Sequence, residues 1–454
     1  MMKVSHKAAL ALALAFLPTL MAAQRPEPLT LSEAVQIALE KNPLRKAAIA
    51  DTRAARAGVR EARAAFYPRL MFSEAAIRGN DPVFVFGTKL RQQRFGTGDF
   101  ALNQLNTPTP LGDFTSRLSG QWRIFDSFQN SRSVKRARHL NGASASQLER
   151  TDQELIARVV QAYYGVLLAA KRVTVADEAL KTSQAIEEHS RRRVESGLAV
   201  EADLLSAKVL TASRQQELIR ARNDLSFAGV KLAIALGVSA DDVFEPADVL
   251  VERTLAEPSI ADLERGALDR RPDLRRVRSE QSAQQQSVSI AKSAFGPRLE
   301  AFGSWQTDSH SLGWNGGNNW TAGLELQFDL FSGGAKLAQL QREKATAERV
   351  AALRAAFENN IRLEVRGAYY DYDAARQQVA VAKAATSHAT ESLRILQNRY
   401  NAGLATVTDL LRVEEAAHRA QTDYWDAIYR VHTSYANLEL ASGTLTVNSP
   451  VVLP

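Results

Sequence analysis

The stretches 31–70 and 260–299 are two versions of one segment, closing on Ala-Ala-Phe-Tyr-Pro-Arg-Leu at 64–70 and on Ser-Ala-Phe-Gly-Pro-Arg-Leu at 293–299. A second matched block follows each copy. Ala162, Tyr163 and Tyr164 recur as Ala368, Tyr369 and Tyr370, and Gly197-Leu198-Ala199 recurs as Gly403-Leu404-Ala405. The offset is 229 positions in the first block and 206 in the second, with no gap inside either, so copy one holds 23 extra residues somewhere in 80–115. Repeats this long are not solenoid units, which run at roughly 20–50 residues. The chain is a tandem duplication of one supersecondary unit, with repeat one at 24–250, repeat two at 251–443 and a tail at 444–454.

Before the first copy stand Lys3 and Lys7, an apolar run over 8–20 and small residues at Ala22 and Ala23. That pattern is a secretory signal peptide, residues 1–23, with an apolar core too short to span a bilayer. No later apolar run reaches about 20 residues, so no transmembrane helix is expected. The chain has no cysteine, which excludes disulfides, thiol chemistry and a lipidated cysteine behind the signal. Its net charge of +7 is spread among acidic residues along helical faces, and with export expected, nucleic acid is not an expected partner.

Residues 129–195 contain no proline and many alanines, which predicts one helix roughly 100 Å long. Gly197 breaks it, and 201–236 returns as a helix of about 54 Å. The shortfall is met by a helix opened by Asn42-Pro43 that runs to about Phe66, so that two short helices stack end to end against the long one. Copy two repeats the plan at 272–295, 335–401 and 406–441. Between the helices the period changes to two. Leu118, Gly120, Trp122 and Ile124 alternate with Arg117, Ser119, Gln121 and Arg123, and Leu324, Leu326, Phe328 and Leu330 alternate with Gly323, Glu325, Gln327 and Asp329. The partner strands begin at Leu70 and Leu299.

Strands of about nine to eleven residues with one apolar face match the length that crosses an outer membrane. Four strands cannot close around a lumen, and open edges are prohibitive in lipid, so several chains must share one barrel. A dimer gives about eight strands with a side-chain-filled interior, which makes a trimer the smallest closure that leaves a channel. The alternative is a trimeric coiled-coil stalk, structural or adhesive, without a lumen.

In this duplicated order the chain resembles the TolC-like outer-membrane factor family over nearly all its length. The resemblance rests on Arg-Pro-Asp-Leu at 271–274, Leu-Phe-Ser-Gly-Gly at 330–334, and Gly-Leu-Ala-x-x-x-Asp-Leu-Leu at 197–205 and 403–411. It implies a mainly α protomer with a small β part, trimerising into a 12-strand β-barrel in the outer membrane that continues as a 12-helix α-barrel in the periplasm. It also implies a passive exit duct of a tripartite efflux or type I secretion system, opened by iris-like movement of the helix pairs. The implied partners are the other two copies, a periplasmic adaptor, an inner-membrane pump or exporter, and outer-membrane lipid.

The resemblance places the adaptor-docking tips at Gly197, Leu198, Ala199, Leu204, Gly403, Leu404, Ala405 and Leu410. It places the pore constriction at Tyr400, Asp409, Arg412 and Asp203. Capping of the following helix is an equal reading of Asp203 and Asp409. Where relatives carry a second acidic ring this chain has Arg412, and where some carry a locking arginine it has Ala405, so one acidic ring is expected, paired with Arg412. Tyr400 and Arg412 replace Val194 and Ser206 of copy one, which marks the copy-two tip as the gate. The 23 extra residues, with Phe84, Phe86, Phe95 and Phe100, are expected outside the cell, where they can cover the mouth. No catalytic constellation, metal cluster or cofactor fingerprint is present: the histidines have no i, i+4 pairing, and there is no nucleophile elbow or phosphate loop. No enzymatic activity is expected.

Overall fold

The computed structural model describes residues 28–253 and 255–453, so the expected signal peptide lies outside the described residues. Copy one comprises β1 (Pro28–Leu29), α1 (Leu31–Lys41), α2 (Pro43–Ala64), β2 (Arg69–Gly79), α3 (Pro82–Arg91), a 3-10 turn (Thr97–Phe100), α4 (Leu102–Asn106), β3 (Leu111–Phe125), α5 (Gln129–Glu195) and α6 (Glu201–Leu236). Strand β4 (Glu245–Pro246) closes copy one, and copy two comprises α7 (Ile260–Arg270), α8 (Pro272–Ser293), β5 (Arg298–Ser309), β6 (Gly317–Gln327), α9 (Ala335–Asn401) and α10 (Val407–Ser442). Equivalent helices have identical lengths: 11 residues in α1 and α7, 22 in α2 and α8, 67 in α5 and α9, and 36 in α6 and α10.

The short helices stack as expected. Helices α2 and α6 both lie along α5, while α8 and α10 both lie along α9 and against α5 as well. The join between stacked helices is built the same way in both copies. Asn42 donates to the Ala235 carbonyl in the last turn of α6, and Arg271 donates to the equivalent Ala441 carbonyl of α10. At each join a glycine with positive φ ends the returning helix, Gly237 at +76° and Gly443 at +74°. A Cβ on Gly237 would lie 2.4 Å from the Asn42 Cα, and one on Gly443 would lie 3.0 Å from the Arg271 Cα. Only glycine meets both demands. Arg271 is fully buried and also binds Asp273 and Glu364, which gives the Arg-Pro-Asp-Leu motif its physical role as a joint.

The core is a belt halfway down the rods. Leu155, Val159, Val160 and Tyr163 of α5 meet Val35, Leu232, Ile428 and Leu438, and Leu445, Val451 and Val452 of the C-terminal tail close it. The tail is therefore part of the core, and the two repeats are interlocked through α5. A two-stranded parallel pair, β1 with β4, lies at the same level, and no alternation marks it.

The four long strands form one antiparallel sheet in the order β2-β3-β5-β6. Its register separates the faces. Phe72, Leu118, Trp305 and Trp320 align across the sheet, as do Trp122, Ala301 and Leu324, so one face is apolar and exposed. The opposite face carries Arg117, Arg123, Glu300, Gln306 and Asn319, with Arg123 paired to Glu300 at 3.0 Å. Strand β3 starts six residues earlier than the alternation indicates, and β6 covers 317–327, leaving Phe328 and Leu330 beyond it. Among the described residues, edge strands β2 and β6 have unpaired outer sides. Likewise α9 at one flank exposes Leu363 and Val381, and α6 at the other exposes Val209 and Phe227. Two unlike edges on one protomer call for head-to-tail closure into a ring.

Candidate functional site

The end of the rods farthest from the sheet is where the two hairpins turn. At the copy-one tip Gly197, φ +70°, lets the Leu198 amide bond the Arg193 carbonyl at 2.7 Å; at the copy-two tip Gly403, φ +77°, lets Leu404 bond the Arg399 carbonyl at 2.8 Å. Both are the reversal expected of a helix closed by a left-handed glycine. Leu198 and Leu404 are 71% and 69% exposed at the apices, and Ala199 and Ala405 follow them half-buried. The next helices begin differently. Thr406 caps α10 by accepting from the Asp409 amide at 3.1 Å and donating to the Asp409 carboxylate at 2.6 Å, whereas Val200 offers α6 no side-chain cap. The Thr406 hydroxyl, with help from Arg412 and Arg399, holds the Asp409 carboxyl below the usual carboxylate range. Asp203 is half-buried in the first turn of α6.

Three of the expected site residues are placed as follows within the single protomer. Leu410 is 1% exposed, packed with Val407, Ile186 and Ala207 under Tyr400, whereas Leu204, its copy-one equivalent, is half-buried. Tyr400 is 3% exposed and does not line an open face. Its hydroxyl meets the buried Ser190 hydroxyl of α5 at 2.8 Å, and its ring packs against His189. Arg412 is exposed and makes no ion pair with Asp409 among the described residues; it borders an open groove of about 960 Å³ between α9 and α10, lined by alanines such as Ala382, Ala385 and Ala416.

Tyr400 therefore joins the copy-two hairpin to the copy-one hairpin near their tips. Arg193 strengthens the joint: it donates to the Tyr400 carbonyl at 2.9 Å and lies 5.2 Å from the ring centroid. The basic run 191–193 thus contributes one working residue. Higher up, a second joint links α6 to α10. Buried Arg214 donates to buried Glu414 at 2.7 Å and to Glu415 at 2.7 Å, with Glu217 at 2.9 Å and His418 beside it. Neither Ser190 nor Arg214 is marked by any motif. Their one signal is that the equivalents at offset 206, Leu396 and Ala420, differ, so both belong to copy-specific contacts.

The geometry now includes an exposed apolar sheet face, a four-stranded sheet open at both edges, and two long helical hairpins joined to each other towards their far ends. The model of the outer membrane efflux protein family matches residues 34–238 and 264–444. The chain belongs to that family. Among curated relatives, the protein CyaE of Bordetella pertussis is 26% identical over 91% of this chain and 82% of its own length. The alkaline protease secretion protein AprF of Pseudomonas aeruginosa is 25% identical over 92% and 85%. Among solved structures, the Campylobacter jejuni CmeC outer membrane channel aligns with a TM-score of 0.79 at 18% identity, covering 93% of this chain and 87% of that one. The open state of the Neisseria gonorrhoeae MtrE channel aligns with a TM-score of 0.74 at 19% identity, covering 92% and 91%. This outer membrane efflux protein is thus an exit duct of a tripartite system. It acts as a homotrimer with a periplasmic adaptor and an inner-membrane pump, its barrel in the outer membrane and its helical tube in the periplasm. The family is one of transport channels.

Proposed function

We propose that this outer membrane efflux protein is a passive conduit whose periplasmic end is held shut by the Tyr400–Ser190 joint and opened when the α9–α10 hairpin swings away from the α5–α6 hairpin. The observation that carries this reading is a buried tyrosine bridging two hairpins close to their tips. A joint made of one hydroxyl pair, one stacked arginine and a small apolar cluster is weak enough to yield to a partner and strong enough to bias the closed state. Asp409, ionised at cellular pH, and Arg412 set the charge at the tip, with Asp203 as the copy-one counterpart. The adaptor seats its helical hairpins on Leu198 and Leu404 and along the alanine-lined groove between α9 and α10, where small side chains allow close helix approach. Energy comes from the inner-membrane partner, and the duct itself performs no catalysis.

The test is conductance of the purified trimer in planar bilayers. The wild type is expected to conduct poorly, and Tyr400→Phe combined with Asp409→Ala to conduct well. A trimer that remains non-conducting with both substitutions would refute the conduit.

A further inference from the structure

The extra residues of copy one do not hang outside the sheet; they fold onto its polar face. Helix α3 and the residue that caps it bury Val85, Thr88 and Gln92, a single stripe at helical spacing. Gln92 donates to the Asp113 carboxylate at 2.9 Å and the Gly112 carbonyl at 3.0 Å, and Asn319 donates to the Arg91 carbonyl at 3.2 Å. Asp308, fully buried, accepts from Thr115 at 3.2 Å and Gln306 at 2.8 Å, with Arg91 at 3.9 Å. By the strand register Asp113, Thr115, Asp308 and Asn319 all lie on the same face as Arg117 and Gln306, the face opposite the exposed tryptophans and leucines. A Cβ on Gly317 would sit 2.0 Å from the Arg91 carbonyl oxygen, so glycine there is what lets the insertion close down on the strand. In a barrel whose apolar face meets lipid, the polar face is the lumen wall.

The other side of α3 is apolar and free. Val83 is 80% exposed, with Leu90, Phe100 and Leu102 also exposed, and the rings of Phe86, Phe95 and Phe100 pack edge to face at 4.8 and 5.2 Å. Lys89 and Asp99 pair at 2.6 Å and keep the insertion folded on itself. A helix fixed to the wall by one side presents its other side to the axis. A 12-strand barrel at a strand spacing of about 4.8 Å and a tilt of about 40° is about 24 Å across. That width runs from strand axis to strand axis, and three helices of about 10 Å diameter around a threefold axis already need about 22 Å, so three insertions at the rim cannot avoid touching one another.

We infer that the three insertions of the trimer meet through Val83, Leu90 and their neighbours to form a second, apolar constriction at the outer end of the lumen. The occupant of each free face is the same face of the other two copies. This rests on the trimeric duct described above and makes it a channel with two constrictions in series, a breakable polar one at the periplasmic tip and an apolar one at the outer rim. Apolar constrictions oppose ions by dewetting while passing apolar or flexible cargo that pushes through.

The absence of native cysteine makes the test clean. Val83→Cys and Leu90→Cys, introduced singly and treated with a short bis-maleimide in outer-membrane vesicles, are expected to give cross-linked dimers on denaturing gels. Full reaction with no intermolecular product would overturn the proposal. In parallel, replacing 82–106 by a short Gly-Ser turn in the Tyr400→Phe, Ser190→Ala background is expected to raise single-channel conductance at least about twofold, since the tip then no longer dominates the series resistance. An intact trimer with unchanged conductance would also overturn it. If the shortened chain does not assemble, the cross-linking result decides. Failure of the duct itself reads differently: no conductance in the tip-unlocked background, whatever the cross-links show.

Discussion

Replacing Tyr400 by phenylalanine removes one oxygen and keeps the ring against His189 and Arg193, so it isolates the hydroxyl pair with Ser190. A buried neutral hydrogen bond contributes about 1 kcal/mol net, and an orphaned buried hydroxyl costs about 1–3 kcal/mol. Ser190 is fully buried but sits inside α5, where a serine can turn to the carbonyl four residues earlier, so the loss falls near the lower figure, about 1 kcal/mol per joint. Three joints opening together shift the closed-to-open equilibrium by about 3 kcal/mol, roughly a hundredfold; independent joints shift by roughly fivefold each. Open probability in planar bilayers distinguishes these two regimes. Ser190→Ala alone is expected to match Tyr400→Phe, and the double variant to fall short of the sum by about 1 kcal/mol per joint, because the second substitution removes a group already unpartnered. Strict additivity, or a Tyr400→Phe channel gating like the wild type, would refute a joint between these two residues.

Arg214→Met leaves Glu414 buried without its cation, which is expected to destabilise the protomer by about 3–5 kcal/mol, while adding Glu414→Leu recovers most of the loss; thermal unfolding in detergent reads both. The His189 pKa is lowered by burial and then by Arg193 and Arg192, so the ring is neutral at pH 7.5. Its contribution is present above its unfolded value of about 6.5 and is lost as pH falls through the lowered one, so open probability should rise on acidification and flatten in His189→Gln. Burial raises the Glu439 carboxyl to about 7. The raised value favours the folded state only when Glu439 is protonated, so Glu439→Gln is expected to leave stability unchanged at pH 4 and to increase it by at most about 3 kcal/mol at pH 8, measured by the same unfolding assay.

The duplication carried the fold because helix length is a local property. Gly197 and Gly403 end the 67-residue helices, Gly237 and Gly443 end the returning ones, and each break is written in the residue that makes it. The apolar alternation marks the strands for the same reason. It misses the first six residues of β3 because near the rim Gly112 and Ser116 stand on the face of Leu118 and Trp122 while Leu111 stands on the face of Asp113 and Thr115, so no apolar period of two shows there.

The site was less legible because the two copies share residues but not surroundings. Helix α5 is central, packed by α2, α6, α8 and α10, whereas α9 lies at an edge with α7, α8 and α10. Tyr163 and Tyr369 occupy equivalent positions, yet Tyr163 is buried with its hydroxyl on the Leu29 carbonyl and Asp248, and Tyr369 is only half-buried. The same asymmetry governs the tip. Leu204 and Leu410 sit in one motif, but copy two has Tyr400 where copy one has Val194, and the larger ring reaches across to α5 and covers Leu410. No pattern within copy two can announce Ser190, which stands 210 positions earlier on a helix whose packing face is set by the other hairpin. Differences between repeats are therefore the informative positions in such a chain. Where the copies agree they build the rod, and where they disagree, at Tyr400, Arg214 and the rim insertion, they bind one copy to the other or to the neighbouring protomer.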